Sequence, residues 1–136
     1  MKADNHLSQS QKELLDCARA ALRSAYAPYS KFKVGAAVRT ESGRVYTGCN
    51  VENSSYGLSI CAERVAIFKA VSASERKITQ LAVWFDMNNP ATPCGACRQV
   101  IAEFGPEAEI LMGSPGSKVR IESIKSLLPL PFDLEL

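Results

Sequence analysis

Hydrophobic positions change their spacing several times along this chain, and each change marks an element. Leu14, Ala18, Ala21, Leu22 and Ala25 recur at helical spacing. Ser10-Gln11-Lys12-Glu13 before them fits a capping box, and Pro28 ends a first helix that runs to about Ser24 or Tyr26. Phe32 to Arg39 is small and β-branched, Glu41 to Arg44 is a turn signal, and Val45 to Cys49 returns, which predicts a β-hairpin. Asn50 to Ser59 is polar and reads as a loop. A second helix starts near Cys61 and is expected to carry Val65, Phe68 and Val71 inward. Ile78 to Phe85 is a nearly continuous apolar run, as in a strand buried on both faces. After the loop Asp86 to Pro93, a third helix begins at or just after Cys94 and reaches about Phe104. Two short strands follow, Glu109 to Met112 and Lys118 to Ile121. A short helix around Ile124 to Leu128 then leads into a tail interrupted by Pro129 and Pro131.

The resulting order is α-β-β-α-β-α-β-β-α. Strands alternating with helices after the hairpin predict an α/β fold, a mixed sheet covered by helices. With 136 residues and no internal linker or repeat, a single domain over residues 1–136 is expected. Composition changes this picture little. The chain is 46% hydrophobic and 22% charged, with a net charge of only +2. No basic run points to a nucleic-acid partner, and no apolar stretch is long enough to span a bilayer. The polar start, Met1 to Gln11, lacks the apolar core of a signal peptide, so a cytoplasmic location is the expectation.

Candidate chemistry lies in two short segments, Cys61-Ala62-Glu63 and Pro93-Cys94-Gly95-Ala96-Cys97. Together they offer three thiolates and one carboxylate that is not needed as a ligand. A structural zinc site closes with four protein ligands, whereas a catalytic one keeps a position for water. The pattern therefore reads as a zinc-activated water with Glu63 as its proton carrier. Both segments sit where a loop becomes a helix, and helix N-termini favour thiolate. Arg64 and Arg98 lie beside the proposed ligands in sequence, and guanidinium donors to sulfur would temper the electron-rich set. Other readings stay open at this point. A redox dithiol at Cys94 and Cys97 needs neither a third cysteine nor the C-x-E, and a structural zinc lacks a clear fourth ligand. His6 stands alone in a polar segment. Cys17 reads as a small helix residue, and Cys49, at a strand end, is a weaker alternative ligand.

These motifs, with Tyr29-Ser30-Lys31-Phe32-Lys33-Val34-Gly35-Ala36-Ala37 and Gly48-Cys49-Asn50-Val51-Glu52-Asn53, resemble those of the small homotetrameric cytidine deaminases. The resemblance implies a three-layer α/β/α fold around a mixed five-stranded sheet, and one zinc ion per subunit on Cys61, Cys94 and Cys97. It implies hydrolytic deamination of cytidine and deoxycytidine to uridine and deoxyuridine, as in pyrimidine salvage. Glu63 would be the proton shuttle and the backbone N–H of Ala62 would assist at the reacting oxygen. Asn50 and Glu52 would hold the ribose, and Phe32 would line the nucleoside pocket. Leu127-Leu128-Pro129-Leu130-Pro131-Phe132 resembles a family tail whose phenylalanine stacks on the pyrimidine in a neighbouring subunit. That implies a homotetramer with active sites shared between subunits and a nucleoside, rather than a nucleic acid or membrane, as its partner. Three rivals are a deaminase of another cytosine compound such as a nucleoside antibiotic, a polynucleotide-editing deaminase, and a non-enzymatic zinc-binding module.

Overall fold

The computed structural model describes residues 6–134; Met1 to Asn5, part of the polar start, and Glu135 and Leu136 lie outside them. The first helix, α1 (Gln9–Ala21), is capped by Ser8. The Gln11 amide donates to Ser8 Oγ (3.1 Å), and the Ser8 amide donates to Gln11 Oε1 (2.8 Å). The capping box thus lies two residues before the expected Ser10–Glu13. Ser-x-x-Gln satisfies the same reciprocal geometry, and the Ser10 hydroxyl is taken instead by Arg39 Nη1 (3.2 Å). A single 3-10 turn, Leu22–Ser24, ends the helical run.

Five strands follow: β1 (Val34–Thr40), β2 (Val45–Cys49), β3 (Ile78–Phe85), β4 (Glu109–Gly113) and β5 (Arg120–Ser123). They form one mixed sheet in the order β2-β1-β3-β4-β5. Only β3 and β4 run parallel, with Leu81 opposite Ile110; the other neighbours are antiparallel. Helices α2 (Ala62–Ser72), α3 (Gly95–Phe104) and α4 (Ile124–Leu127) complete the chain.

Strand alternation sorts the core into two layers. Ala36, Val38, Leu81, Val83, Ile110 and Met112 point to the α2 and α3 side. Ala37, Ala82 and Leu111 point to the other side and meet Leu14, Leu15 and Ala18 of α1. Helices therefore cover both faces, giving the α/β/α sandwich that the resemblance implied. On the α1 side the sheet residues are small, and α1 comes close. A methyl at Gly35 would stand 2.0 Å from the Ala18 carbonyl oxygen.

Two expectations need correction. Helix α2 buries Ala62, Glu63, Ala66, Ile67 and Ala70, not Val65, Phe68 and Val71. Phe68 is 45% exposed, and the two valines are half-buried. Beside the large Ile67, the stripe is alanine where the helix backbone rests on β2: a methyl on Gly48 would meet the Ala66 nitrogen at 2.5 Å and the Ala62 oxygen at 2.6 Å. Close approach, which admits only small side chains at that contact, selects the inward face. The fifth strand begins two residues later than Lys118, because its pairing with β4 starts at Arg120, opposite Met112.

Candidate metal centre and adjoining cavity

Helices α2 and α3 each begin on a cysteine. Cys61 and Cys94 occupy the N-cap positions in extended conformation (φ −71°, ψ 153° and φ −67°, ψ 168°), and neither sulfur caps its own helix. Both sulfurs are free to turn toward each other, and Cys61 Sγ lies 3.9 Å from Cys94 Sγ. Cys97, at the third position of α3 and fully buried, completes a group whose sulfurs all lie within 4.8 Å of one another. A tetrahedral ion with zinc–sulfur bonds near 2.3 Å requires sulfurs about 3.8 Å apart, so this donor set fits zinc with small adjustment. Among the described residues no fourth cysteine, histidine or carboxylate joins the group. Cys49 and His6, the alternatives considered from sequence, stand outside it.

The electrostatics favour thiolate where a cation would need it. The Cys61 thiol is lowered to about 5, chiefly because the Cys97 thiol donates a hydrogen bond to it, with Arg64 and Cys94 adding to the effect. As that donor, and by its burial, Cys97 is pushed up. The three sulfurs therefore hold their first negative charge on Cys61, and a divalent cation supplies the drive to ionise the others. Arg64 Nη2 points at Cys61 Sγ (3.4 Å), the contact expected of it.

Arg98 does not behave as expected. Its Nε donates to the Pro93 carbonyl (2.8 Å), Nη1 to the Leu127 carbonyl (2.8 Å) and Nη2 to Thr92 Oγ1 (2.9 Å). All three of its nitrogens are thus turned away from the sulfurs, and it braces the loop leading into Cys94. The difference is one of helix phase. Arg64 is the third residue of α2 and reaches back to the N-cap, as the third residue of a capping box does. Arg98 is the fourth residue of α3 and is turned about 100° further round.

A cavity of about 360 Å³ opens beside the sulfurs, with Cys61, Ala62, Glu63 and Cys94 in its wall. Glu63 is 3% exposed. Burial is the main reason its carboxyl is raised to about 7, and the nearby Cys61 charge adds to the rise while Arg64 opposes it. A carboxyl poised near neutrality can take and return a proton. The Ala62 amide belongs to the first turn of α2, where backbone N–H groups have no intrahelical partner.

Ser30, Asn50 and Glu52 lie in the same cavity wall. Glu52, 8% exposed, accepts from the Tyr29 and Ser30 amides (both 3.1 Å) and from the Ser30 hydroxyl. The Ser30 hydroxyl, above all, holds its carboxyl below the usual value. Asn50 is clamped by the chain entering β1: its Oδ1 accepts from the Val34 amide (2.9 Å), and its Nδ2 donates to the Phe32 carbonyl (2.8 Å). One amide hydrogen and one oxygen lone pair remain for a ligand. Phe32 stacks on Phe85 with ring centroids 6.4 Å apart and planes 10° from parallel, and both line the cavity. Phe132 does not line it and is 72% exposed.

Residues 8–113 match the family described as "Cytidine and deoxycytidylate deaminase zinc-binding region". The chain belongs to this family. It is a zinc-binding deaminase, and the three-cysteine group is the donor set suited to the ion. The chain is 45% identical to a cytidine deaminase of Sporosarcina psychrophila over 91% of its own length and 92% of the relative's. The crystal structure of a cytidine deaminase from Burkholderia pseudomallei superposes with a TM-score of 0.85 at 48% identity, covering 89% of this chain and 98% of that one. At 31% identity, over 97% of this chain and 98% of the relative, it also resembles a blasticidin-S deaminase of Bacillus cereus.

Two wall residues of this deaminase are not singled out by sequence. Ser30 lies in the Tyr29–Ala37 segment, but its partner Glu52 is 22 residues away in the chain and only the fold brings the two together. Phe85 ends β3, and only the pairing of Val34 with Phe85 brings it to Phe32. The apolar run of β3 signals burial and carries no sign of a cavity.

Proposed function

We propose that the protein hydrolyses cytidine and deoxycytidine to uridine and deoxyuridine, releasing ammonia. The observation that carries this reading is the placement of Glu63, buried and raised to about 7, between the three-cysteine group and a cavity whose walls also present Glu52 and Asn50. Cys61, Cys94 and Cys97 hold the zinc ion, which when bound supplies the Lewis acidity that makes water a nucleophile at neutral pH. Glu63 accepts a proton from the attacking water and passes it to ring N3, so that C4 becomes electrophilic. It then delivers the second proton of that water to the departing amino group, and the products balance as uridine plus ammonia. The Ala62 N–H donates to the oxygen that becomes the uracil carbonyl. Glu52 and Asn50 accept from and donate to the sugar hydroxyls, and Phe32, backed by Phe85, flanks the nucleoside.

In this reading the chain is one domain of a homotetramer, and Phe132 of one subunit stacks on the pyrimidine held by another. Exposed Tyr56 in the cavity wall, with exposed Tyr29 and Leu58 next in sequence to the wall residues Ser30 and Ser59, supplies apolar surface for such an assembly. A cytoplasmic enzyme of pyrimidine salvage fits free nucleosides as substrates; no helix among the described residues is long and apolar enough to cross a membrane.

A nucleoside antibiotic is the second candidate substrate, favoured by the blasticidin-S deaminase relative. The test is absorbance loss at the cytosine band with cytidine, deoxycytidine and blasticidin S, together with metal analysis. Turnover of the two nucleosides with about one zinc per chain is the expected result, and turnover confined to blasticidin S refutes it. Glu63→Gln should retain zinc and lose at least about 10²–10⁴-fold in kcat.

A further inference from the structure

We infer that Gln99 is the positioning residue for the Phe132 ring, fixing the tail to the helix that carries two of the metal ligands. The Gln99 carboxamide makes two hydrogen bonds to one residue: Nε2 donates to the Phe132 carbonyl (2.9 Å), and Oε1 accepts from the Phe132 amide (3.1 Å). Arg98, its neighbour, donates from Nη1 to the Leu127 carbonyl at the end of α4. The tail is thus held at two points by consecutive residues that directly follow Cys97.

Between and beyond these points the tail buries little. Leu130 is 91% exposed, Phe132 72% and Leu134 66%. Ordering such a segment costs backbone entropy at every residue, and the Phe132 ring recovers little of that by burial in its own chain. A reciprocal amide clamp at a residue with an exposed ring therefore fixes a direction more than it adds stability. The clamp orients the ring outward toward a second copy of this chain. This inference rests on the reading of Phe132 given above.

The test uses the full-length zinc-loaded protein and the variants Gln99→Ala, Gln99→Glu, Phe132→Ala and the double Gln99→Ala/Phe132→Ala. Zinc per chain and solution mass are measured for each, with kcat and KM on cytidine. Gln99→Ala should raise KM about tenfold, with kcat within about twofold and zinc and mass unchanged. Gln99→Glu keeps the acceptor for the Phe132 amide and loses the donor, so its KM should fall between. The double variant should match Phe132→Ala, because Gln99 acts only through the ring. A wild-type KM in Gln99→Ala beside a raised KM in Phe132→Ala overturns the role of Gln99. Fully additive losses in the double variant overturn it as well. An unchanged KM in Phe132→Ala overturns the reading of Phe132 itself, and the inference with it.

Discussion

At the scale of single residues, the site is governed by where a side chain sits in the first turn of a helix. Cys61 and Cys94 are N-caps, and Arg64 and Cys97 each occupy the third helical position and turn back toward them. Arg64→Ala should leave the fold intact and weaken zinc affinity about 10–100-fold, measured by competition with a chromogenic chelator. Glu63 gives a pH signature. Its folded-state value of about 7 stands above the ordinary 4.5, so the folded chain holds an extra proton between those values. The unfolded chain binds fewer protons in that window, and stability from this group therefore falls as pH rises through it. In chelator-stripped protein, Glu63→Gln should gain stability over wild type on going from pH 5 to pH 8, by up to about 3 kcal/mol in urea unfolding. A constant difference between the two pH values would refute the burial argument. The three-cysteine group was legible in the sequence because metal chemistry demands particular residue types at short spacing. Arg98 was misread because adjacency in sequence does not give helix phase. Ser30 was missed because its role appears only when a distant loop brings Glu52 to it.

At the scale of elements, β2 sets the depth of the metal centre. Gly48 lets the first turns of α2 rest on the sheet, and a side chain there would strike the Ala62 oxygen and the Ala66 nitrogen. Gly48→Ala should cost roughly 1–3 kcal/mol of stability through overpacking. It should also lower kcat, since α2 carries Cys61 and Glu63 outward as it shifts. Urea unfolding and steady-state kinetics check the two effects, and a lost kcat with unchanged zinc content would locate the damage at Glu63. Element types and order were readable from periodicity: nine helices and strands appear in the expected succession among the described residues. The inward face of α2 was not, because Val65, Phe68 and Val71 outweigh the alanines on any hydrophobicity scale. The sheet prefers the alanines for their small size, a preference set by a glycine on another element. The start of β5 was likewise decided by its partner, β4, and not by its own residues.

At the scale of the whole molecule, the question is which chain completes which cavity. Coexpression of Glu63→Gln with Phe132→Ala distinguishes the arrangements. If Phe132 serves a neighbour, mixed assemblies contain sites with an intact Glu63 and an intact ring, and a low-KM component for cytidine reappears. If it serves its own chain, every intact Glu63 belongs to a chain that lacks the ring, and KM stays high throughout. The cavity itself gathers residues 30–34, 50–63 and 85–94, joined by the pairing of β1 with β3. During synthesis, at roughly 5–20 residues per second, Cys61 emerges seconds before Cys94 and Cys97. In that interval the growing chain has one thiol of the three, beside a β1–β2 hairpin that is already made. The donor set is therefore complete only after β3 has been made and α3 has begun, so the order of elements along the chain sets the earliest moment at which all three sulfurs can meet one ion.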